Sequence, residues 1–209
     1  MTATPPWIVG VRHEEENFKA TLLALERLKE KGAQTITVEQ GFDLEIMEEI
    51  IAWIKRRYDP TSKYHNNIAY ETILGFLSRK LYLLQSYKSF FGLVKERAEK
   101  MGFKVIQAES KGTFKAVHKM VFAKIIEKYP NTHFSEKDMY REIETYPAWH
   151  AAINVRDRDM TKRYLRQKTD VIVVGAAHAA HLINVLRVPD EKASFISHGK
   201  IYPAKNGQP

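Results

Sequence analysis

The stretch Asp170-Val-Ile-Val-Val-Gly-Ala-Ala-His-Ala-Ala-His-Leu182 decides the fold of this chain. Its continuous run of β-branched residues, Val171–Val174, is typical of a strand that is buried on both faces of a parallel sheet. Gly175 allows a sharp turn at the strand end, and the alanines that follow favour the start of a helix. The stretch therefore predicts that His178 lies beside the carboxyl end of a central strand, where open α/β sheets bind their ligands.

A second stretch, near the N-terminus, has the same form. In Trp7-Ile-Val-Gly-Val-Arg-His13 an apolar strand runs into Gly10, and His13 follows three residues later. Residues 17–31 then show helical spacing of apolar side chains, and residues 33–39 alternate as a strand does. Strand, helix and strand in this order predict a βαβ unit with parallel strands and a right-handed crossover.

The rest of the pattern predicts an α/β fold, with a central, mainly parallel sheet flanked by helices. Because no low-complexity linker divides the chain, we expect one α/β domain over residues 1–209, with a helical insertion after the second strand, roughly residues 43–100. The remaining expected elements are helices at 42–57, at 68–100 (two, or one kinked), at 113–129, near 135–146, at 157–167 and after His181, and strands at 102–109 and, on an edge, at 194–197.

The composition excludes several kinds of functional site. The chain has 209 residues and no cysteine, which excludes a disulfide framework, a thiol nucleophile and a zinc–thiolate site. No apolar run approaches the roughly 20 residues that span a membrane, and the first residues lack the features of a signal peptide. We therefore expect a cytoplasmic protein, and the sequence is compatible with a homo-oligomer.

The net charge of +8 is unevenly distributed. Residues 1–54 carry −5, residues 55–119 carry +9 and residues 120–209 carry +4. A basic surface in region 55–119 could attract nucleic acid, an anionic lipid or an acidic substrate. The alternative is a lysine-rich helical face that is simply solvated, and weak nucleic-acid binding stays a competing function.

The residues that could carry chemistry all follow strands. His13 follows the first strand, Glu39 ends the second, Glu109 ends the third and His178 follows the fourth. If the strands are parallel, these side chains meet at one edge of the sheet. Two imidazoles with one or two carboxylates form a reasonable site for a divalent metal, which could activate water to hydrolyse an amide, ester or phosphoester. Without a metal, the same groups could perform general acid–base catalysis.

Three further residues are candidates for the same pocket. His181 lies one helical turn after His178 and can share its face. The guanidinium groups of Arg12 and Arg156 could bind a carboxylate or phosphate group. The alternative for Arg156 is a salt-bridged helix start, and a lone histidine after a strand is more often a surface residue. Surface positions are also expected for five other histidines: His65, His118, His133, His150 and His198.

These residues together resemble a known pattern. Gly10-Val-Arg-His13, Glu39, Arg156-Asp-Arg-Asp-Met160 and Gly175-Ala-Ala-His178 are similar to motifs of the TraB/Tiki/ChaN-like superfamily, which is related to erythromycin esterase. That family has paired Gly-x-x-His motifs, a glutamate after the second strand and an Arg-Asn-x-x-Met segment before the second motif. The order and spacing match from Trp7 to about Leu186, and the helical insertion matches only as a generic helical region.

The resemblance implies an α/β fold and a metal-dependent hydrolase of peptide or ester bonds, since Tiki members are regarded as metalloproteases. It implies that His13, Glu39 and His178 bind manganese, cobalt or zinc, and that Glu39 and Arg156 serve catalysis. The chain departs from the pattern at three places, with Asp157 for Asn, Arg12 for a small residue and Ala180-His-Leu182 for Leu-Pro-Gly. These departures leave open a catalytically inactive binding module of the same fold.

Overall fold

The protein is described here by a computed structural model, which covers residues 5–58, 67–133, 135 and 147–204. Six strands form one sheet in the order β3-β2-β4-β1-β5-β6, and all neighbouring strands are parallel except β5 and β6. The predicted α/β fold with a mainly parallel sheet is confirmed. The strands are β1 (Trp7–Val11), β2 (Thr35–Val38), β3 (Lys104–Gln107), β4 (Val171–Gly175), β5 (Ala193–Ser197) and β6 (Lys200–Pro203).

The helices largely follow the predicted spacing. The expected helical stretch at 68–100 is two helices, because Tyr87-Lys-Ser89 interrupts it and Ser89 caps the second helix by accepting the N–H of Gly92. The short helix expected near 135–146 lies, apart from Ser135, outside the described residues. The helices are α1 (Glu16–Glu30), α2 (Leu44–Arg57), α3 (Ile68–Ser86), α4 (Phe90–Lys100), α5 (Lys111–Lys128), α6 (Pro147–Gln167) and α7 (Ala176–Leu186), with a 3-10 turn at Asp190–Lys192.

The chain divides into two compact units. The sheet unit comprises Met1–Gly41, Ser89–Ser110 and Asp157–Pro209, and the helical unit comprises Phe42–Lys88 and Lys111–Arg156. The helical unit thus begins where the insertion was expected, but it excludes α4 and takes in α5 and the first half of α6. The reason is that α4 is amphipathic and packs its apolar side chains into the core of the sheet unit.

β4 is central because both of its faces are covered. Val171 and Val173 pack into the core formed with α1 and α4, whereas Ile172 and Val174 pack into the core formed with α6 and α7. All five residues of β4 are buried. The alternation of a strand therefore places β-branched side chains in two cores at once, as the unbroken apolar run predicted.

β1 and β2 are parallel, as the βαβ unit predicted, and β4 lies between them and pairs with both. One expectation about strand neighbours was wrong. β5 is not an edge strand, because it pairs with β1 on one side and with β6 on the other. β6 was not predicted at all. Its turn uses His198 and Gly199 in left-handed conformations (φ 49° and 68°).

The helical unit has a core of its own, in which α2, α3 and α5 contribute most of the buried apolar side chains. On its surface, Lys111 pairs with Asp43 at 3.1 Å and with Glu45 at 2.7 Å, and Lys115 and Lys119 pair with Glu49. Part of the positive charge of region 55–119 is therefore balanced by carboxylates of α2.

No helix within the described residues is long and apolar enough to cross a membrane. The cytoplasmic location and a homo-oligomeric state stay predictions.

Asp170, the residue before β4, bonds to the starts of β2 and β1. The Asp170 carboxylate accepts the N–H groups of Gln34 and Thr35 and the Thr35 hydroxyl, each at 2.8 Å, and the Asp170 carbonyl accepts the N–H of Trp7. Partial burial by itself raises the pKa of Asp170, but these donors hold that pKa below its usual value. The ionised carboxylate therefore helps to align the start of β2 with the start of β4, while the main-chain carbonyl of Asp170 joins β1.

Replacing this carboxylate should destabilise the protein in a pH-dependent way. We expect Asp170→Ala to lower the free energy of unfolding by about 1 kcal/mol at pH 7, since three donors lose an exposed, charged acceptor. Because the folded-state pKa lies below the unfolded value, the contribution is complete above about pH 4 and is lost as the pH falls through the folded-state pKa. Urea unfolding at pH 7 and at pH 3 measures this difference.

The matched control is Glu26→Ala, on the exposed face of α1. It should change the free energy of unfolding by less than about 0.5 kcal/mol at either pH. A difference between the native chain and Asp170→Ala that grows on acidification would contradict the assignment.

Candidate functional site

The site is built around Glu39, the residue that follows β2. Its backbone N–H continues the parallel pairing to Val173 (2.9 Å), and its side chain is buried, with 3% of the residue exposed. The Oε2 atom accepts the N–H of Gly175 at 2.5 Å. The Glu39 carboxylate is therefore hydrogen-bonded to the last residue of the neighbouring strand β4.

His178 lies in the first turn of α7, between two carboxylates. Its Nε2 atom is 3.7 Å from Oε1 of Glu39, and its Nδ1 atom is 2.6 Å from Oδ1 of Asp157. His178 and Asp157 are both buried, with 4% and 2% exposed. The imidazole is thus fixed on one side by a short hydrogen bond and faces Glu39 on the other.

His13 approaches Glu39 from the end of β1. Its Nε2 atom is 4.0 Å from Oε2 of Glu39, while half of its side chain is exposed to solvent. Its ring packs edge-on against Phe91 (centroids 4.6 Å apart) and stacks more loosely on Phe90. Each oxygen of Glu39 therefore faces the Nε2 atom of a different histidine.

The two motif glycines serve different purposes. A Cβ atom at Gly175 would lie 2.8 Å from Nε2 of His13 and 3.2 Å from Oε2 of Glu39, so this glycine leaves space for the site. A Cβ atom at Gly10 would lie 2.7 Å from Cβ of Ala179 and from the ring of Phe195, so this glycine lets α7 pack closely on the sheet. Of the two glycines, only Gly175 therefore lies next to side chains of the candidate site.

This difference predicts opposite results for two alanine substitutions. Gly10→Ala should lower the free energy of unfolding by about 1–3 kcal/mol, because buried atoms must move apart. Gly175→Ala should cost less, because its backbone (φ −55°, ψ 147°) suits alanine and the nearest atom ends a half-exposed side chain. It should instead displace the imidazole of His13. Urea unfolding and the NMR resonances of the His13 ring measure the two effects.

If Gly175→Ala unfolds as easily as Gly10→Ala while the His13 resonances stay unchanged, this division of roles is wrong. Gly75→Ala on α3 is a suitable control, since a Cβ atom there meets no other atom within 4 Å.

Asp157 is the site residue that sequence reasoning missed. It was read as a helix start and as a departure from the family's Asn, yet its second oxygen also lies 3.7 Å from Nδ1 of His181. A signal was present in the spacing, since Asp157, Met160 and Tyr164 share one face of α6 and the other two are apolar and buried. A carboxylate on the buried face of a helix needs partners, and these are the two histidines.

The other predicted residues are distributed as follows. His181 is partly exposed and joins the group through Asp157. Glu109 is buried just after β3, the strand next to β2. The side chain of Arg12 is exposed. The guanidinium of Arg156 stands 4.9 Å above the ring of Phe114 within the helical unit.

The histidines that were expected on the surface give a mixed result. That expectation was wrong for His118, which is buried among Phe42, Phe114 and Phe122 and whose Nδ1 lies 2.8 Å from the carbonyl of Phe114. Its ring thus behaves as one more member of an aromatic core. His133, His150 and His198 are exposed, and His65 lies outside the described residues.

The donor types at Glu39, two imidazole nitrogens and a carboxylate, are ones that divalent cations take, but their spacing is wider than a bound ion requires. Within residues 5–58, 67–133, 135 and 147–204, no three His, Cys, Asp or Glu side chains are placed so that they could hold a metal ion. Neighbouring ligands of tetrahedral zinc are about 3.3 Å apart, whereas the two nitrogen–oxygen separations here are 3.7 and 4.0 Å. A bound ion would therefore require both histidine nitrogens to move closer to Glu39 by a few tenths of an ångström.

Comparison of the chain with protein-family models, with curated protein sequences and with solved structures finds no match.

Proposed function

We propose that the protein is a metal-dependent hydrolase of peptide or ester bonds, and that it belongs to the TraB/Tiki/ChaN-like superfamily. The observation that carries the proposal is the placement of the buried Glu39 carboxylate between the Nε2 atoms of His13 and His178. The space kept open by Gly175 lies beside this carboxylate. The family assignment rests on the four motifs and on their order along the chain.

The electrostatics of the site favour a cation. If the imidazole of His178 is neutral and donates its Nδ1–H to Asp157, its unprotonated Nε2 faces an oxygen of Glu39 at 3.7 Å. The lone pair and the carboxylate oxygen then repel each other, and a cation between them would remove that repulsion. Imidazole nitrogen and carboxylate oxygen together suit manganese, cobalt or zinc.

In this proposal the residues have separate tasks. His13, Glu39 and His178 would hold the ion, and a divalent ion in such a site lowers the pKa of bound water to near neutrality. If Oε2 of Glu39, which accepts the N–H of Gly175, also held the ion, Oε1 would be left to accept the proton of the attacking water. The supporting role of Arg156 rests on the family resemblance alone, because its described contact is with the ring of Phe114 in the helical unit.

The same groups allow a mechanism without metal. There, His178 would act as a general base that is oriented by Asp157, in the manner of other carboxylate–histidine pairs. A site that binds metal without turnover would indicate the inactive binding module. Metal binding and hydrolysis must therefore be measured separately.

Calorimetric titration with manganese, cobalt and zinc tests the ligand set. We expect the native chain to bind one ion, and His13→Ala, Glu39→Gln and His178→Ala each to weaken binding by more than about 100-fold, because loss of a direct ligand exceeds the effect of an outer partner. His150→Ala, an exposed histidine on α6, is the matched control and should bind as the native chain does.

Hydrolysis of peptide and ester substrates is measured alongside, with and without a chelator. Chelation should abolish turnover and re-addition of the metal should restore it. Turnover that persists in the chelator, together with no calorimetric binding of any of the three metals, would contradict the proposal in favour of metal-free catalysis.

A second function, nucleic-acid binding by region 55–119, is favoured by one surface. The last turns of α3 and the residue that follows expose Tyr82 and Tyr87 (70% and 71%) beside the exposed Arg79 and Lys88. No acidic residue occurs between Glu71 and Glu96 in the sequence. Exposed aromatic rings next to cationic groups suit the stacked bases and phosphates of a single strand.

Titration with a single-stranded oligonucleotide at several salt concentrations tests this second function. Phosphate contacts should give a negative slope of log affinity against log salt, of about 0.7 per contact. Arg79→Glu should weaken binding and make the slope shallower, whereas Arg27→Glu, an exposed residue of α1, should change the affinity less. Absence of salt-sensitive binding by the native chain removes this function.

A further inference from the structure

We infer that Asp157 is a positioning residue that keeps the proton of His178 on Nδ1, so that the lone pair of Nε2 points into the site. The use of that lone pair as a metal ligand rests on the proposed function, but the position of the proton does not. The hydrogen bond between Asp157 on α6 and His178 in the first turn of α7 is the basis of the inference.

The hydrogen bond itself determines which nitrogen carries the proton. Oδ1 of Asp157 lies 2.6 Å from Nδ1 of His178. An ionised carboxylate can only accept, so the hydrogen between them belongs to the imidazole, and a neutral imidazole then has no hydrogen on Nε2. In water the neutral histidine side chain prefers the opposite tautomer, with the proton on Nε2. The protein therefore selects the less common form.

Burial makes this selection strong. Asp157 and His178 are among the buried polar residues, and the neighbours of Asp157 on the same face of α6 are Met160 and Tyr164. A charge-assisted hydrogen bond gains strength where water is excluded, and loss of its acceptor leaves a buried donor without a partner. The second oxygen of Asp157 faces Nδ1 of His181, so the carboxylate spans two histidines of one helix face.

The opposite side of the ring agrees with this assignment. Nε2 of His178 lies 3.7 Å from Oε1 of Glu39, which is longer than a hydrogen bond. A protonated Nε2 beside a buried carboxylate would be expected to close that distance. The gap is consistent with two acceptors that face each other, and a metal ion is the chemical group that would join them.

The aspartate also explains one departure from the family pattern. An asparagine at position 157 can accept the same hydrogen bond through its oxygen, but it carries no charge. An anionic partner increases the basicity of the imidazole and so strengthens its bond to a metal. Asp157 therefore preserves the geometry that an asparagine would give and increases the donor strength of Nε2.

Long-range proton–nitrogen NMR correlation of ¹⁵N-labelled protein tests the inference directly. The metal-free chain is measured at roughly pH 9, above the ordinary pKa of histidine. We expect the His178 ring to show a protonated Nδ1 and an unprotonated Nε2. Asp157→Asn should keep this tautomer, because its amide oxygen still accepts, whereas Asp157→Ala should move the proton to Nε2.

Metal affinity provides a second readout. Zinc titration should show a loss of about 10–100-fold for Asp157→Ala and a smaller loss for Asp157→Asn, as for other outer partners of metal ligands. The control is Asp159→Asn, on the same helix, whose carboxylate accepts the N–H of Ser110 (2.8 Å). It should change neither the His178 tautomer nor the zinc affinity.

The outcomes separate this inference from the proposed function. A proton on Nε2 of His178 in the native chain overturns the inference, whatever the metal or activity measurements give. An Nδ1 proton that persists in Asp157→Ala overturns it as well. An Nδ1 proton that is lost in Asp157→Ala supports the positioning role even if the protein binds no metal and hydrolyses nothing, in which case only the proposed function fails.

Discussion

The rest of the site depends on one buried charge, the carboxylate of Glu39. A carboxylate without partners is costly to remove from water, and this one lies at the end of a strand in the middle of a sheet. Its oxygens are met by the N–H of Gly175 and by the Nε2 atoms of two histidines. Glycine leaves room at position 175, because a side chain there would displace His13.

The order of the strands explains why these groups meet. β4 lies between β1 and β2, so the residues that follow all three strands collect at one edge of the sheet. His13 follows β1, Glu39 follows β2 and His178 begins the helix after β4. A sheet with β1 and β2 side by side would place β4 and its histidine one strand further away. The first βαβ unit therefore supplies His13 and Glu39, and β4 brings His178 next to them.

Much of this arrangement could be predicted from the sequence because it is local. The apolar run of β4 predicted burial on both faces, and the two Gly-x-x-His motifs predicted His13 and His178 at strand ends. The insertion of β4 between β1 and β2 could not be predicted, because residues far apart in the sequence determine strand order. The participation of Asp157 depends likewise on how α6 meets α7, which only the fold determines.

The boundary of the helical unit escaped prediction for a related reason. Periodicity identifies α4 as a helix but does not say which core its apolar face enters. Phe91 and Val94 join the core of the sheet unit, and Phe91 also supports the ring of His13. The expected insertion, residues 43–100, therefore includes α4, which belongs to the sheet unit, and omits α5 and the first half of α6. β6 was missed because Lys200–Pro203 is only four residues long, begins with lysine and ends in proline, which weakens a strand pattern.

The central claim is that His13, Glu39 and His178 form one site for a divalent metal. Anomalous X-ray diffraction from crystals soaked in zinc or manganese tests it most directly. The account predicts a single strong peak beside Gly175, about 2.0–2.3 Å from both Nε2 atoms and from an oxygen of Glu39. The absence of a peak there, or a peak only at another position, would contradict it.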